Sequence, residues 1–479
     1  MAVAAEHSTD GQRETCPGWW GSETQATHRR KGEAGRNILK EGKMRGISRS
    51  PIVSTILQQI AKQAVEYPEM VFTTLIHHID VDFLKEAYWR TSKTAAPGLD
   101  GLTAKDYAVN LDENLQALHD RMRSGQYRAP PVKRVWLDKD DGKKRPIGIP
   151  EFEDKIVQRS IAMLLGAVYE QDFYDFSYGF RPGRSAHNAL HELREQSMNM
   201  NIGWVIDADI SGFFDNLGHS ELIDIIKLRV NDGGVIRFIG KWLNAGVVDG
   251  ETLSYPEKGA PQGGVISPIL SNIFLHHVLD EWYAKEVEPR LKGRSYLIRF
   301  GDDFVIGCEL EEDARRVMAV LPKRFGRFGL SIHPEKTRLV SFRKPLRNQK
   351  KGKGMGTFDF LGFTHYWAKS RRGYWIIKRK TVRKRVRRAM KRAWRWCRNH
   401  RHEPLREQYR MLCLKLRGHY QYYGIRGNYR MMEKLYWYVV KAWRYWLSRR
   451  SHKGKITREK QEIFQLVYPL PPPKITHTI

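Results

Sequence analysis

The run Trp204-Val205-Ile206-Asp207-Ala208-Asp209-Ile210 constrains this chain most, because it carries carboxylates out of an otherwise hydrophobic strand. A carboxylate buried at a strand end is costly unless a cation or hydrogen-bond donor accompanies it. A second place of the same kind follows. Ser295 to Phe300 is strand-like, Gly301-Asp302-Asp303 sits where a turn is expected, and Phe304-Val305-Ile306 resumes an apolar run. The pattern predicts a β-hairpin with two carboxylates at its tip. Aspartate is common in turns for its own hydrogen-bonding reasons, so the pair gains weight only beside the strand carboxylate.

Around these segments, from Pro97 to about Tyr366, strand-like runs alternate with amphipathic helices, which predicts an α+β body. Residues 1 to about 45 lack periodicity and read as a mobile leader, with the pair Trp19 and Trp20 as its one oddity. Ile56, Ile60 and Val65 recur at helical spacing and suggest a helical N-terminal extension over 46–108. There is no internal repeat of solenoid period.

Charge narrows the partners. Lys and Arg number 83 against 53 Asp and Glu, a formal surplus of +30, and a phosphate backbone is the commonest partner that relieves such a surplus. An anionic membrane is the second candidate. Between Asp359 and Glu403 there is no acidic residue and there are sixteen Lys or Arg. Within that stretch Val382, Val386, Met390, Ala393 and Cys397 step at helical intervals, predicting a long helix with one apolar face and basic flanks. Calmodulin targets and membrane-surface helices share this pattern, and the upstream carboxylates favour nucleic acid. The four cysteines, Cys16, Cys308, Cys397 and Cys413, are too scattered for a disulfide framework or a paired-cysteine zinc site. No run approaches the roughly 18 apolar residues of a membrane span, and no secretory h-region opens the chain, so a soluble protein in a reducing, cytoplasmic setting is expected.

Mg²⁺ suits the carboxylates: it prefers oxygen ligands and is usually held by one or two protein carboxylates plus substrate phosphates. Two such ions about 3.5–4 Å apart activate a primer 3′-hydroxyl and stabilise leaving pyrophosphate in an in-line displacement. The chain resembles group II intron-encoded reverse transcriptases and maturases from about Arg45 onward. The resemblance rests on five motifs in the family's order: Lys143-Lys144-Arg145-Pro146-Ile147-Gly148-Ile149-Pro150, Asp209 to Asp215, Ala260-Pro261-Gln262-Gly263-Gly264, Phe300-Gly301-Asp302-Asp303, and Phe360-Leu361-Gly362-Phe363. It implies a right-hand polymerase architecture, with fingers and an antiparallel palm sheet over 109–368, a helical thumb and maturase region over 369–450, and a short basic tail over 451–479. Asp209, Asp302 and Asp303 match the catalytic carboxylates, and the implied metal set is Asp209, Ile210, Asp302 and Asp303. Asp207 is not matched; strand alternation puts it on the face of Asp209, as an outer neighbour. The family's Tyr-Ala-Asp-Asp reads Phe300-Gly301-Asp302-Asp303 here, and Gly301 is expected to loosen the turn.

The resemblance also assigns supporting residues, each with a plainer alternative. Lys144 and Arg145 would hold a triphosphate, or form a solvated basic turn after Asp141-Gly142. Gln262, in a glycine-bearing loop before the helix start Ser267-Pro268, would contact the nucleotide or template. Phe214, five residues after Asp209, would exclude a sugar 2′-hydroxyl, or be an ordinary core phenylalanine, a role that suits Phe213 better. Lys336 would protonate pyrophosphate, or be a surface lysine. Arg181 and Arg184, interleaved with Tyr178 and Phe180, suit a template surface. Arg383, Arg387 and Arg395 on the basic helix, and Arg417 and Tyr422 in the maturase-like segment, suit intron RNA.

The implied activity is RNA-directed DNA polymerisation with Mg²⁺, dNTPs, an RNA template and a DNA primer, joined to intron RNA binding that assists splicing and insertion into target DNA, with no membrane partner. The rivals are a relative working in phage defence or repair and a splicing cofactor without polymerase activity; intact Asp209, Asp302 and Asp303 argue against the latter. The stretch after Leu447 lacks cysteine and is too short for the family's endonuclease module, so that module is expected to be absent.

Overall fold

The computed structural model describes residues 50–138, 144–259, 262–346, 356–451 and 456–479. The expected leader with Trp19 and Trp20, together with Asp141, Gly142, Lys143, Ala260 and Pro261, lies outside them. In chain order the strands are β1 (Val132–Asp138), β2 (Lys144–Ile149), β3 (Trp204–Ala208), β4 (Val247–Asp249), β5 (Thr252–Ser254), β6 (Ser295–Phe300), β7 (Asp303–Cys308), β8 (Arg338–Ser341), β9 (Phe358–Phe360), β10 (Phe363–Lys369) and β11 (Trp375–Thr381). They form three sheets, ordered β2-β1-β4-β5, β6-β7-β3-β8 and β11-β10-β9. Helices separate and cover them, so the fold is α+β as the sequence predicts.

The sheet β6-β7-β3-β8 is antiparallel throughout, and its strands β6, β7 and β3 are buried on both faces. Ile206, Ala208, Leu297, Phe304 and Ile306 point into a large core shared with helices Phe152–Asp172, Ser267–Leu275 and Glu311–Gly326. Val205, Tyr296, Ile298 and Val305 point the other way, onto helix Ala186–Asn199 and the β9–β11 sheet. Burial on both faces explains the unbroken apolar runs of β6 and β7, which strict alternation alone would not produce.

Helix Pro51–Glu66 opens the described chain, its N-cap Ser50 side chain accepting from the Val53 N–H. Its buried stripe is Val53, Leu57, Ile60 and Ala64. Of the residues expected at helical spacing, Ile60 belongs to this stripe, whereas Ile56 is half-buried and Val65 is exposed. The basic helix runs Arg383–Asn399 and docks through Val386 and Cys397, with Met390 and Ala393 half-buried and Val382 at its N-cap. Helices Leu405–Tyr423 and Tyr429–Leu447 complete this third cluster around Leu412, Leu416, Leu435, Val439 and Trp443.

The segment expected as a short basic tail is structured in its described part. It forms helix Arg458–Val467 and then an extended strap that buries Leu470. The Thr476 N–H donates to the Gly424 carbonyl at 2.7 Å, and the Tyr420 hydroxyl to the Pro471 carbonyl at 3.2 Å. Cys308, Cys397 and Cys413 are free and buried, and among the described residues no helix is long and apolar enough to cross a membrane.

Candidate active site

Pairing between β3 and β7 ends at Ala208 opposite Phe304, and one further step sets Asp209 against Asp303. Asp303 begins β7 and faces Phe300, leaving Gly301 and Asp302 as a two-residue hairpin turn. The strand carboxylate and the hairpin pair therefore share one edge of the sheet. Loss of water around the Asp302 carboxyl raises its pKa, with the Asp209 charge adding to the rise and Arg145 and Arg299 opposing it. Asp303 keeps an accessible edge, yet protein crowds its carboxyl; that desolvation, then the charges of Asp302 and Asp209, pushes its pKa up as well.

Cations already lean on this edge. Lys336 Nζ lies 2.7 Å from Asp209 Oδ2, and Arg338 Nη2 lies 2.8 Å from Asp207 Oδ2 across the β3–β8 pair. The 333–337 loop wraps Asp209, since the His333 N–H donates to the Asp209 carbonyl at 2.8 Å and Thr337 Oγ1 accepts the Asp209 N–H at 3.3 Å. Asp207 is on the expected face and is neutralised by Arg338. Among the described residues no three His, Cys, Asp or Glu side chains close a metal cage of their own. An open, oxygen-only set of mutually repelling carboxylates, one of them occupied by an ammonium group, fits a hard divalent cation whose coordination is completed by phosphate and water.

The hairpin turn is clamped, contrary to the expectation that Gly301 loosens it. Gly301 adopts φ +66°, the left-handed region natural to glycine at the first loop position of such a turn. The backbone of Gly179 presses on it so closely that a Cβ on Gly179 would meet the Gly301 nitrogen at 2.2 Å. Beneath the turn Arg299 is wholly buried, paired with Asp280 at 2.8 Å through Nε, donating to Asn272 Oδ1 at 2.9 Å and to the Gly301 carbonyl at 3.2 Å. Asn272 also donates to the Gly179 carbonyl at 2.7 Å, which ties both segments together. Sequence reasoning missed Arg299, Asp280 and Asn272. The available signal was a lone arginine in the apolar strand Ser295-Tyr296-Leu297-Ile298-Arg299-Phe300, where burial requires a partner.

A cavity of about 390 Å³ adjoins the β1–β2 hairpin and is lined by Arg134, Pro146, Gly148, Phe214, Asp215, Lys258 and Gln262, among others. Lys144 and Arg145 are exposed on β2, and Arg145 Nε donates to Gln262 Oε1 at 3.0 Å. The Gln262 carbonyl accepts the Gly148 N–H at 2.7 Å, and Gly263, at φ +120°, packs where a Cβ would sit 2.6 Å from the Gly148 carbonyl. Phe213 is buried in the core, and Phe214 is half-buried against that core at the cavity wall. The fold thus brings Arg145, Phe214 and Gln262 together, and the Arg145 charge reaches Asp302. Arg134 and Lys258 are cavity cations that sequence reasoning missed; they stand outside any motif.

Two expected RNA contacts require correction. Arg181 is buried, with its guanidinium bonded to Glu170 and to the carbonyls of Phe173, Tyr174 and Ser177, so it has no face for a nucleic acid. Tyr422 donates its hydroxyl to the Leu361 carbonyl at 2.7 Å and stacks on Phe363, joining the helical region to the β9–β10 turn. Arg184 is half-buried, donating to the Asp175 carbonyl at 2.9 Å. Arg383, Arg387, Arg395 and Arg417 are exposed.

Residues 137–365 match the family described as reverse transcriptase (RNA-dependent DNA polymerase). The chain is 34% identical over 289 residues to protein YkfC of Escherichia coli K12, an alignment covering 53% of this chain and 75% of that protein. It is 34% identical over 225 residues to the group II intron-encoded protein LtrA of Lactococcus lactis subsp. cremoris, covering 47% of this chain and 37% of LtrA. A 91 kDa protein in the cob intron of Schizosaccharomyces pombe is 33% identical over 244 residues, covering 50% of this chain and 29% of that protein.

Proposed function

This chain belongs to the group II intron-type reverse transcriptases, a family of RNA-directed DNA polymerases, and from that premise we propose that it copies an RNA template from a DNA primer while gripping intron RNA to assist splicing and mobility. The observation that carries the reading is the shared edge of Asp209, Asp302 and Asp303 beside a cavity walled by Phe214 and Gln262, with Arg145 bridging the two. Asp209, Asp302 and Asp303, with the Ile210 main chain, would hold Mg²⁺, which when bound supplies charge stabilisation for the attacking and leaving oxygens.

The remaining work falls to the chain's own side chains. Arg145 and Lys144 bind the triphosphate from an exposed strand, and Gln262 orients Arg145 toward it. Phe214 fills the space a 2′-hydroxyl would need. Lys336, held beside Asp209 at the carboxylate edge, carries the proton that departing pyrophosphate takes up. The exposed arginines of helix Arg383–Asn399 follow the nucleic-acid backbone, a sequence-independent electrostatic contact. Primer extension by the purified protein on an RNA template, with Mg²⁺ and with chelator, tests the polymerase reading. Mg²⁺-dependent cDNA supports it, and absence of product under both conditions contradicts it.

A further inference from the structure

The interior of helix Phe152–Asp172 holds a polar chain that the catalytic reading leaves unused. Asp154 and Gln158, one helical turn apart, are 2% and 3% exposed. Gln158 Oε1 accepts the Val265 N–H at 2.8 Å and the Ile266 N–H at 3.3 Å, and its Nε2 donates to Asp154 Oδ2 at 2.8 Å. Asp154 Oδ1 in turn accepts Trp242 Nε1–H at 2.7 Å and the Tyr127 hydroxyl. Val265 and Ile266 lie three and four residues after Gln262 and lead into helix Ser267–Leu275. One continuous set of hydrogen bonds therefore runs from Trp242 through Asp154 and Gln158 to the loop whose other end holds Arg145.

We propose that Gln158, oriented by Asp154, is a positioning residue for nucleotide binding: it fixes the 262–266 loop so that Gln262 and Arg145 present one shape to the incoming triphosphate. The inference rests on the polymerase reading above and adds a residue pair that touches neither substrate nor metal. Apolar side chains would fill this interior without desolvating a carboxylate, so what the polar pair adds is direction. Burial pushes the Asp154 carboxyl up to about 6 against the donors Tyr127, Trp242 and Gln158, the signature of a carboxylate kept inside for its hydrogen bonds. The loop needs such a tether. Among the described residues its opposite anchor is one backbone bond from Gly148 together with the exposed Arg145–Gln262 contact.

The test compares Gln158→Leu and Gln158→Glu in steady-state incorporation, primer-template binding and amide exchange. Gln158→Leu removes the acceptor for two backbone N–H groups, and the dNTP KM should rise about tenfold while primer-template Kd stays within about twofold. Exchange at Val265 and Ile266 should accelerate. Gln158→Glu keeps the acceptor and, with one proton shared between its carboxyl and that of Asp154, keeps the bond to Asp154 too, so KM should return to within about threefold of wild type. A wild-type KM in Gln158→Leu, or a Gln158→Glu protein no better than Gln158→Leu, overturns the proposal. Should Gln158→Leu fail to fold, Trp242→Phe takes one donor from Asp154, and a KM unchanged in that variant overturns it equally. If the wild-type protein extends no primer, the polymerase reading fails by itself, and amide exchange at Val265 and Ile266 in Gln158→Leu still decides the tether.

Discussion

Lys336 Nζ sits 2.7 Å from Asp209 Oδ2, so the residue expected to give a proton to pyrophosphate is found neutralising a catalytic carboxylate. Both roles follow from one position. The 333–337 loop hydrogen-bonds the Asp209 backbone on both sides, which keeps the ammonium group within reach of the carboxylate edge. Lys336→Ala should slow single-turnover incorporation by about a hundredfold while primer-template affinity changes little. A rapid-quench rate equal to wild type would restrict Lys336 to charge neutralisation.

Phe214 is half-buried at the cavity wall and Phe213 lies in the core, so trimming Phe214 disturbs the interior less than trimming Phe213. Phe214→Val should relax discrimination against ribonucleotides by about tenfold or more, read as the ratio of kcat/KM for dNTP and rNTP. Unchanged discrimination assigns Phe214 to packing alone.

Arg383, Arg387 and Arg395 are exposed on the helix that Val386 and Cys397 dock. Replacing all three by Gln should weaken binding to unrelated RNAs alike and flatten the log–log salt slope by about 2, since each phosphate contributes about 0.7 to 0.9. Circular dichroism should show the helix intact. Lost helicity would mean the arginines support folding, and an unchanged slope would place the RNA path elsewhere.

His365 is buried against Phe358, with both ring nitrogens lacking a partner among the described residues, and desolvation, then the Arg379 charge, lowers its pKa from 6.5 to about 3. A histidine held neutral binds protons more weakly folded than unfolded. Its stabilisation is therefore complete above pH 6.5 and is lost as pH falls toward 3. Between pH 6.5 and 5 the loss is about 2 kcal/mol. Urea unfolding should show wild type losing about that much more stability over this window than His365→Phe, and equal losses would show that the ring titrates normally.

How far the sequence foretold this site depends on whether a residue's partners are near it in the chain. The hairpin was legible because two apolar runs flank Gly301-Asp302 directly, and Asp209 because a carboxylate ends an apolar strand. The stripe of helix Pro51–Glu66 was legible at Ile60 but not at Ile56 and Val65, which are apolar without being buried. Arg181 looked like a surface contact because its partners, Glu170 and three carbonyls, meet it only through folding. The Arg299–Asp280 pair and the Gln158 tether to Val265 join segments 19 and 107 residues apart, and no local pattern announces such partners. The order of the closing strap was not legible for the same reason: its hydrogen bonds reach back to Tyr420 and Gly424.

Asp302→Ala tests the central claim most directly, because Asp302 stands at a turn where its loss removes a carboxylate and no core volume. Primer extension on an RNA template with Mg²⁺ and dNTPs, alongside RNA binding by the same preparation, is the measurement. We predict extension below about a tenth of wild type, with RNA affinity retained. Extension near the wild-type rate by a folded, RNA-binding Asp302→Ala protein would contradict the assignment of this carboxylate edge as the polymerase centre.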